Sequence, residues 1–137
     1  MLPNIFNAST IPFLQETVNF SQARHNVLAG NIANMDTPGY KVRDLSVDTF
    51  QQRLKAAMDA RQAKREPVSP GIVDSPADEP MRQVRESLKN ILYHDDSNVS
   101  LEHQITEINK NQMLHNTAIT IMTQQFRLLQ AAVSERL

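Results

Sequence analysis

The chain has 137 residues, with 14 Lys plus Arg against 15 Asp plus Glu, four His, no Cys and no Trp, for a formal net charge of −1. That is one domain's worth of chain, and its scattered, near-neutral charge gives no electrostatic footprint for nucleic acid or an anionic membrane surface. No apolar run exceeds four residues even counting Gly and Pro, far below the roughly 20 of a membrane-spanning helix, and the lack of cysteine excludes disulfides, thiolate catalysis and Cys-based zinc sites.

Three Gly and 5% aromatics in a chain that is 40% hydrophobic point to an all-α fold, because a sheet protein of this size needs more turn glycines and more β-branched or aromatic residues. Met1 to Thr10 carry neither a basic start nor an apolar block of signal-peptide length. No cleaved secretory signal is therefore expected, and any export takes another route.

From Ile11 the positions Leu14, Val18, Ser21, His25, Leu28, Ile32 and Met35 step by three and four, a heptad seam with a polar centre. Ser9 or Thr10 can cap this helix and Pro12 fits its first turn, while Pro38 requires it to stop earlier. Two Asn, Asn31 and Asn34, stand three apart at its end, where they can bond neighbouring backbone. Thr37-Pro38-Gly39 then predicts a tight turn with Gly39 at positive φ.

The middle, 42–98, reads as a short helix over Val47 to Arg65, with Phe50, Leu54, Ala57, Met58 and Arg61 on one side, and a second over Met81 to Leu92. Between them, four of the seven prolines (Pro67, Pro70, Pro76, Pro80) fall within a charged stretch. Its composition permits a pliable loop or disorder. Asp95, Asp96, Ser97 and Asn98 read as the cap of a last helix, with acidic charge at the positive end of its dipole.

That helix is expected over about Val99 to Ser134. Its seam is Leu101, Ile105, Ile108, Gln112, His115, Ile119, Met122, Phe126, Leu129 and Val133, flanked by a second apolar row of Leu114, Ala118, Ile121, Leu128 and Ala132. Since neither terminal helix can bury its seam alone, the two are expected to pair as an antiparallel, coiled-coil-like hairpin, with Ser21 and His25 opposite Gln112 and His115. The second row has two candidate partners, another subunit or the middle segment.

Little catalytic chemistry is on offer. His25, His94, His103 and His115 lack the i, i+3 or i, i+4 pairing of helical metal ligands. A calcium-loop spacing at Asp96, Asn98, Ser100 and Glu107 fails at Leu101, where the sharp turn needs Gly. There is no Ser with a neighbouring base, no Gly-rich phosphate loop and no carboxylate pair in an apolar setting, so neither an enzyme nor a cofactor or small-molecule substrate is expected. The six Met read as core filling.

The string Asn31-Ile32-Ala33-Asn34-Met35-Asp36-Thr37-Pro38-Gly39-Tyr40 resembles the signature that ends the N-terminal helix of the flagellar rod and hook axial proteins. Gly30 stands where that family has Asn. Asp96-Ser97-Asn98-Val99-Ser100-Leu101-Glu102 is similar to the segment opening the family's C-terminal helix, with Ser97 in place of Gly. The length, with no room for an added β domain, is similar to a short proximal rod member; another short rod subunit is the alternative within the family.

The resemblance implies a non-enzymatic subunit of the rod, the drive shaft that crosses the periplasm in the flagellar basal body. On it the chain is one rod-protein domain in three parts, 1–41, 42–98 and 99–137. The implied partners are other copies and other rod proteins, the protein joining rod to membrane ring, and the flagellar type III export apparatus. Asn31, Ala33, Asn34, Thr37, Pro38, Gly39 and Tyr40 would form the assembly signature. Two readings of other classes are a cytosolic helical adaptor using the same seams and a metal-binding hairpin using His25 and His115.

Overall fold

The computed structural model describes residues 9–63, 79–89, 91–93 and 100–134. Helix α1 spans Ile11–Ala33, strand β1 Arg43–Leu45, helix α2 Val47–Ala63, helix α3 Glu79–Ser87, strand β2 Ile91–Tyr93 and helix α4 Leu101–Ser134. The fold is helical, with long helices at both ends. The described residues form two compact units, a terminal one (9–40 with 100–134) and a middle one (41–63, 79–89 and 91–93).

In the terminal unit α1 and α4 pack on each other. Pro12 lies in the first turn of α1, where a missing N–H costs nothing. The Thr10 carbonyl accepts the Phe13 and Leu14 N–H groups. Ser9 Oγ takes the Ile11 N–H at 3.3 Å, so Ser9 serves as the side-chain cap. The 34 residues of α4, without Gly or Pro, make a rod of about 50 Å at ~1.5 Å per residue. Ser100 starts it: its carbonyl accepts the His103 and Gln104 N–H groups and its hydroxyl also takes the His103 N–H. The expected cap over Asp95 to Asn98 lies outside the described residues, as does most of the proline-rich stretch.

In the middle unit Ser46 caps α2 by accepting the Thr49 N–H on Oγ at 3.1 Å. Helix α2 packs against α3, and Leu45, Phe50, Ala57, Val84 and Ser87 are buried. Arg53 donates to the Gln83 carbonyl at 2.8 Å. Met58, expected on the inner side of α2, is exposed.

The second middle helix is shorter than its apolar spacing predicts. It ends at Ser87; the Leu88 and Lys89 N–H groups fall back on the Arg85 and Glu86 carbonyls, the tight last turn of a helix terminus. Ile91, Leu92 and Tyr93 then form β2, paired antiparallel to β1 in the register Arg43↔Tyr93, Asp44↔Leu92, Leu45↔Ile91. These three residues continue the helical apolar spacing, yet β-branched Ile91 and aromatic Tyr93 are residue types that suit a strand, and three residues are too few to show period-two alternation.

Candidate functional site

The hairpin seam is polar. Buried on α1 are Ile11, Phe13, Glu16, Phe20, Ser21, Arg24, Leu28 and Asn31, and on α4 Gln104, Asn111 and Ala118. The expected α1 seam residues Leu14, Val18 and Ile32 are half-buried beside them, and Leu28 is fully buried. On α4, Ile108, His115, Met122 and Leu129 are half-buried. Leu101, Ile105, Gln112, Ile119 and Phe126, expected in the seam, are exposed; Gln104, Asn111, Ala118 and the half-buried Gln125 take the places of the last four, one position earlier.

The rotation has a physical cause in the cross-helix bonds. Asn31 Nδ2 donates to Gln104 Oε1 at 3.1 Å. Arg24 Nη2 donates to Glu107 Oε2 at 2.7 Å, Asn111 Nδ2 to the Ser21 carbonyl at 2.7 Å, and Gln125 to Thr10 Oγ1. Polar groups bonded in this way can be buried at little cost, although Asn111 Oδ1 is buried without a partner among the described residues, and apolar residues of α4 are left exposed beside them.

Ser21 and His115 meet as expected, Oγ to Nδ1 at 2.8 Å. Ser21 also donates to the Val18 carbonyl. With its single proton spent there, Ser21 is left to accept from Nδ1–H of His115. His25 and Gln112 are exposed instead of seam-facing. They line an open groove of about 220 Å³ together with Ser21, Gln22, Asn111, His115 and Asn116. Among the described residues no three His, Cys, Asp or Glu side chains are grouped as a metal site would need.

The signature turn follows α1. Asn34 closes the helix by donating Nδ2 to the Gly30 carbonyl at 2.8 Å. The Thr37 N–H bonds the Asn34 carbonyl and the Tyr40 N–H the Thr37 carbonyl, and Gly39 has φ +75°, the left-handed conformation Gly adopts at no steric cost. Thr37, Pro38 and Gly39 are exposed, as is Ala33. Asn31, fully buried, accepts the Tyr40 hydroxyl on Oδ1 at 3.1 Å while donating to Gln104. Gln104 belongs to no motif, and its 73-residue separation from Asn31 gives a sequence reading nothing local to find.

Exposed on α4, in two rows that flank the buried one at ~100° per residue, are Leu101, Ile105, Ile119, Phe126 and Val133 on one side and Leu114, Ile121 and Leu128 on the other, with Met113 beyond them. Of the second apolar row, Ala118 is buried and Leu114, Ile121 and Leu128 are exposed. Among the described residues no helix is long and apolar enough to cross a membrane.

Paired terminal helices with a polar seam, a turn with Gly39 at positive φ and exposed apolar rows along α4 define a helical structural protein. The chain belongs to the flagellar basal body rod protein family. The family model described as flagella basal body rod protein matches residues 13–41, which hold α1 from Phe13 and the whole signature turn. The chain is 31% identical over 123 residues to the flagellar basal body rod protein FlgB of Aquifex aeolicus, covering 87% of this chain and 88% of the relative. It is 27% identical over 126 residues to FlgB of Salmonella typhimurium, with 87% and 88% covered. To FlgB of Escherichia coli it is 46% identical over 50 residues, 36% of this chain and 34% of the relative.

Proposed function

We propose that this chain is a structural subunit of the flagellar basal-body rod, needed for flagellum assembly and motility, and that it works by packing helices against neighbouring rod proteins. The observation that carries the packing reading is the division of α4: its inner face holds Gln104, Glu107 and Asn111 bonded to α1, while Met113 and Leu128 stand more than 70% exposed on the outside. Exposed apolar rows of that kind mark contact surfaces. A contact between different patches of successive subunits, if it does not close, builds a helical array.

In this reading the partners are other copies and other rod proteins, the protein joining rod to membrane ring, and the flagellar type III export apparatus, which carries the subunit to the periplasm. The signature residues Asn31, Ala33, Asn34, Thr37, Pro38, Gly39 and Tyr40 fix how the chain leaves α1, and the exposed ones among them are available to neighbours. The chemistry is that of packing and not of catalysis. No observation favours the adaptor or the two-histidine metal hairpin over it.

The test is a strain deleted for this gene and complemented with the intact or the signature-altered chain, scored for swimming and for rods in fractionated basal bodies. Loss of swimming with rodless basal bodies is the expected result of the deletion. Normal rods and swimming would overturn the reading.

A further inference from the structure

We propose that Gln104 is a positioning residue for the signature turn, so that docking of α4 on α1 and the shape of the turn stabilise each other. Three side chains carry the link. Gln104 is 3% exposed and Asn31 wholly buried, and Gln104 Oε1 accepts from Asn31 Nδ2 at 3.1 Å. That bond turns the other end of the Asn31 amide, Oδ1, toward the hydroxyl of Tyr40, which donates to it at 3.1 Å.

An amide has one acceptor end and one donor end. Fixing which end faces α4 therefore fixes which end faces Tyr40. Tyr40 is the last residue of the turn, and its N–H closes the turn on the Thr37 carbonyl, as the Thr37 N–H does on that of Asn34. The turn's own backbone bonds span only three residues each, and short-range structure of this kind opens more readily than a packed core. The side-chain link ties this segment to a helix that begins 61 positions later in sequence. Such a link does more than a sum of its bonds, because each bond orients the group that makes the next.

Pairing of the two ends and the finished signature stabilise each other, so a chain whose ends are not paired presents less of the turn that its neighbours meet. This step rests on the rod reading only for its biological use; the coupling itself is a property of the isolated chain.

The test is amide hydrogen exchange followed by NMR on the full chain. Gln104→Met keeps length and apolar volume without the acceptor and is expected to speed exchange at the Thr37 and Tyr40 amides about tenfold, with mid-helix amides such as that of Leu28 changed far less. Gln104→Glu keeps an oxygen at the same reach and is expected to restore most of the protection. Tyr40→Phe approaches from the other end: it should loosen the same two amides, shift the side-chain NH2 resonances of Asn31 and Gln104, and add little to Gln104→Met in the double variant. Unchanged exchange at Thr37 and Tyr40 in a folded Gln104→Met, or equal loss along both helices, would overturn the proposal. Should the Gln104 variants not fold, unmoved NH2 resonances in Tyr40→Phe would overturn it alone. A rod defect with intact coupling, or coupling without any rod phenotype, separates this inference from the assembly reading.

Discussion

Arg24 and Glu107 meet at 2.7 Å across the hairpin, their side chains 7% and 15% exposed, and Lys110 donates to the second oxygen of the same carboxylate at 2.7 Å. The Lys110 bond first and the Arg24 bond second hold the Glu107 carboxyl below its usual range, against the opposing effect of burial. A carboxyl whose folded pKa is depressed contributes stability that is complete above its unfolded value and is lost as pH falls through the folded value. Thermal unfolding is expected to be insensitive to this pair near neutrality and to fall once pH drops below about 4.5. Glu107→Gln should flatten that acid limb; melting curves followed by circular dichroism across pH would show it, and identical limbs in both proteins would refute it. Arg24→Met leaves Glu107 with Lys110 and is expected to cost about 1.5–3 kcal/mol at neutral pH.

At Gly39 the strain is in the backbone alone. A Cβ built there meets nothing within 4 Å, but φ is +75°, where an ordinary L residue costs about 1–2 kcal/mol and Asn less. Gly39→Asn is expected to be nearly silent and Gly39→Val to loosen the turn and reduce swimming at unchanged cellular protein level. Equal swimming in the two variants would show that the turn's conformation is not what assembly reads.

The two Asn of the signature are not equivalent. Asn34 is half-buried and bonds the Gly30 carbonyl of its own helix, so Asn34→Ala is expected to cost about 0.5–1.5 kcal/mol. Asn31→Leu removes a buried amide from between Gln104 and Tyr40 and strands the buried Gln104 oxygen, for about 1–3 kcal/mol. Urea unfolding of the two variants gives the comparison, and a larger loss in Asn34→Ala would contradict the geometry.

Periodicity and turn chemistry made much of this legible. The span of α1, the antiparallel pairing that sets Ser21 against His115, and the positive φ of Gly39 all follow from local rules of spacing and sterics. What escaped was the rotation of the seam. Arg24, Asn31, Gln104 and Asn111 are residues whose burial is tolerable only because a partner stands on the other helix, more than 70 residues away in sequence. No windowed pattern contains that partner, so apolar spacing alone selected the row one position along, Ile105 and Ile119 in place of Gln104 and Ala118. The strand Ile91–Tyr93 escaped for the opposite reason, since its local pattern fits a helix and its pairing to β1 decides otherwise.

The same rotation separates folding from assembly, and two substitutions test the separation. Phe20 is wholly buried in the hairpin, and Phe20→Ala is expected to cost about 3–5 kcal/mol, the transfer of a large ring plus the cavity it leaves. Leu128, 71% exposed on α4, has little to lose in the monomer, so Leu128→Asp should change the unfolding free energy by no more than about 0.5 kcal/mol. In a rod, however, that carboxylate would be buried without a partner against the neighbouring subunit, a penalty large enough to block packing. Leu128→Asp is thus expected to yield a normally folded subunit and a non-swimming cell, while Phe20→Ala fails at folding first. Melting of the purified variants beside swimming of the complemented strains decides it: a swimming Leu128→Asp strain would mean that the outer face of α4 is not where neighbours pack.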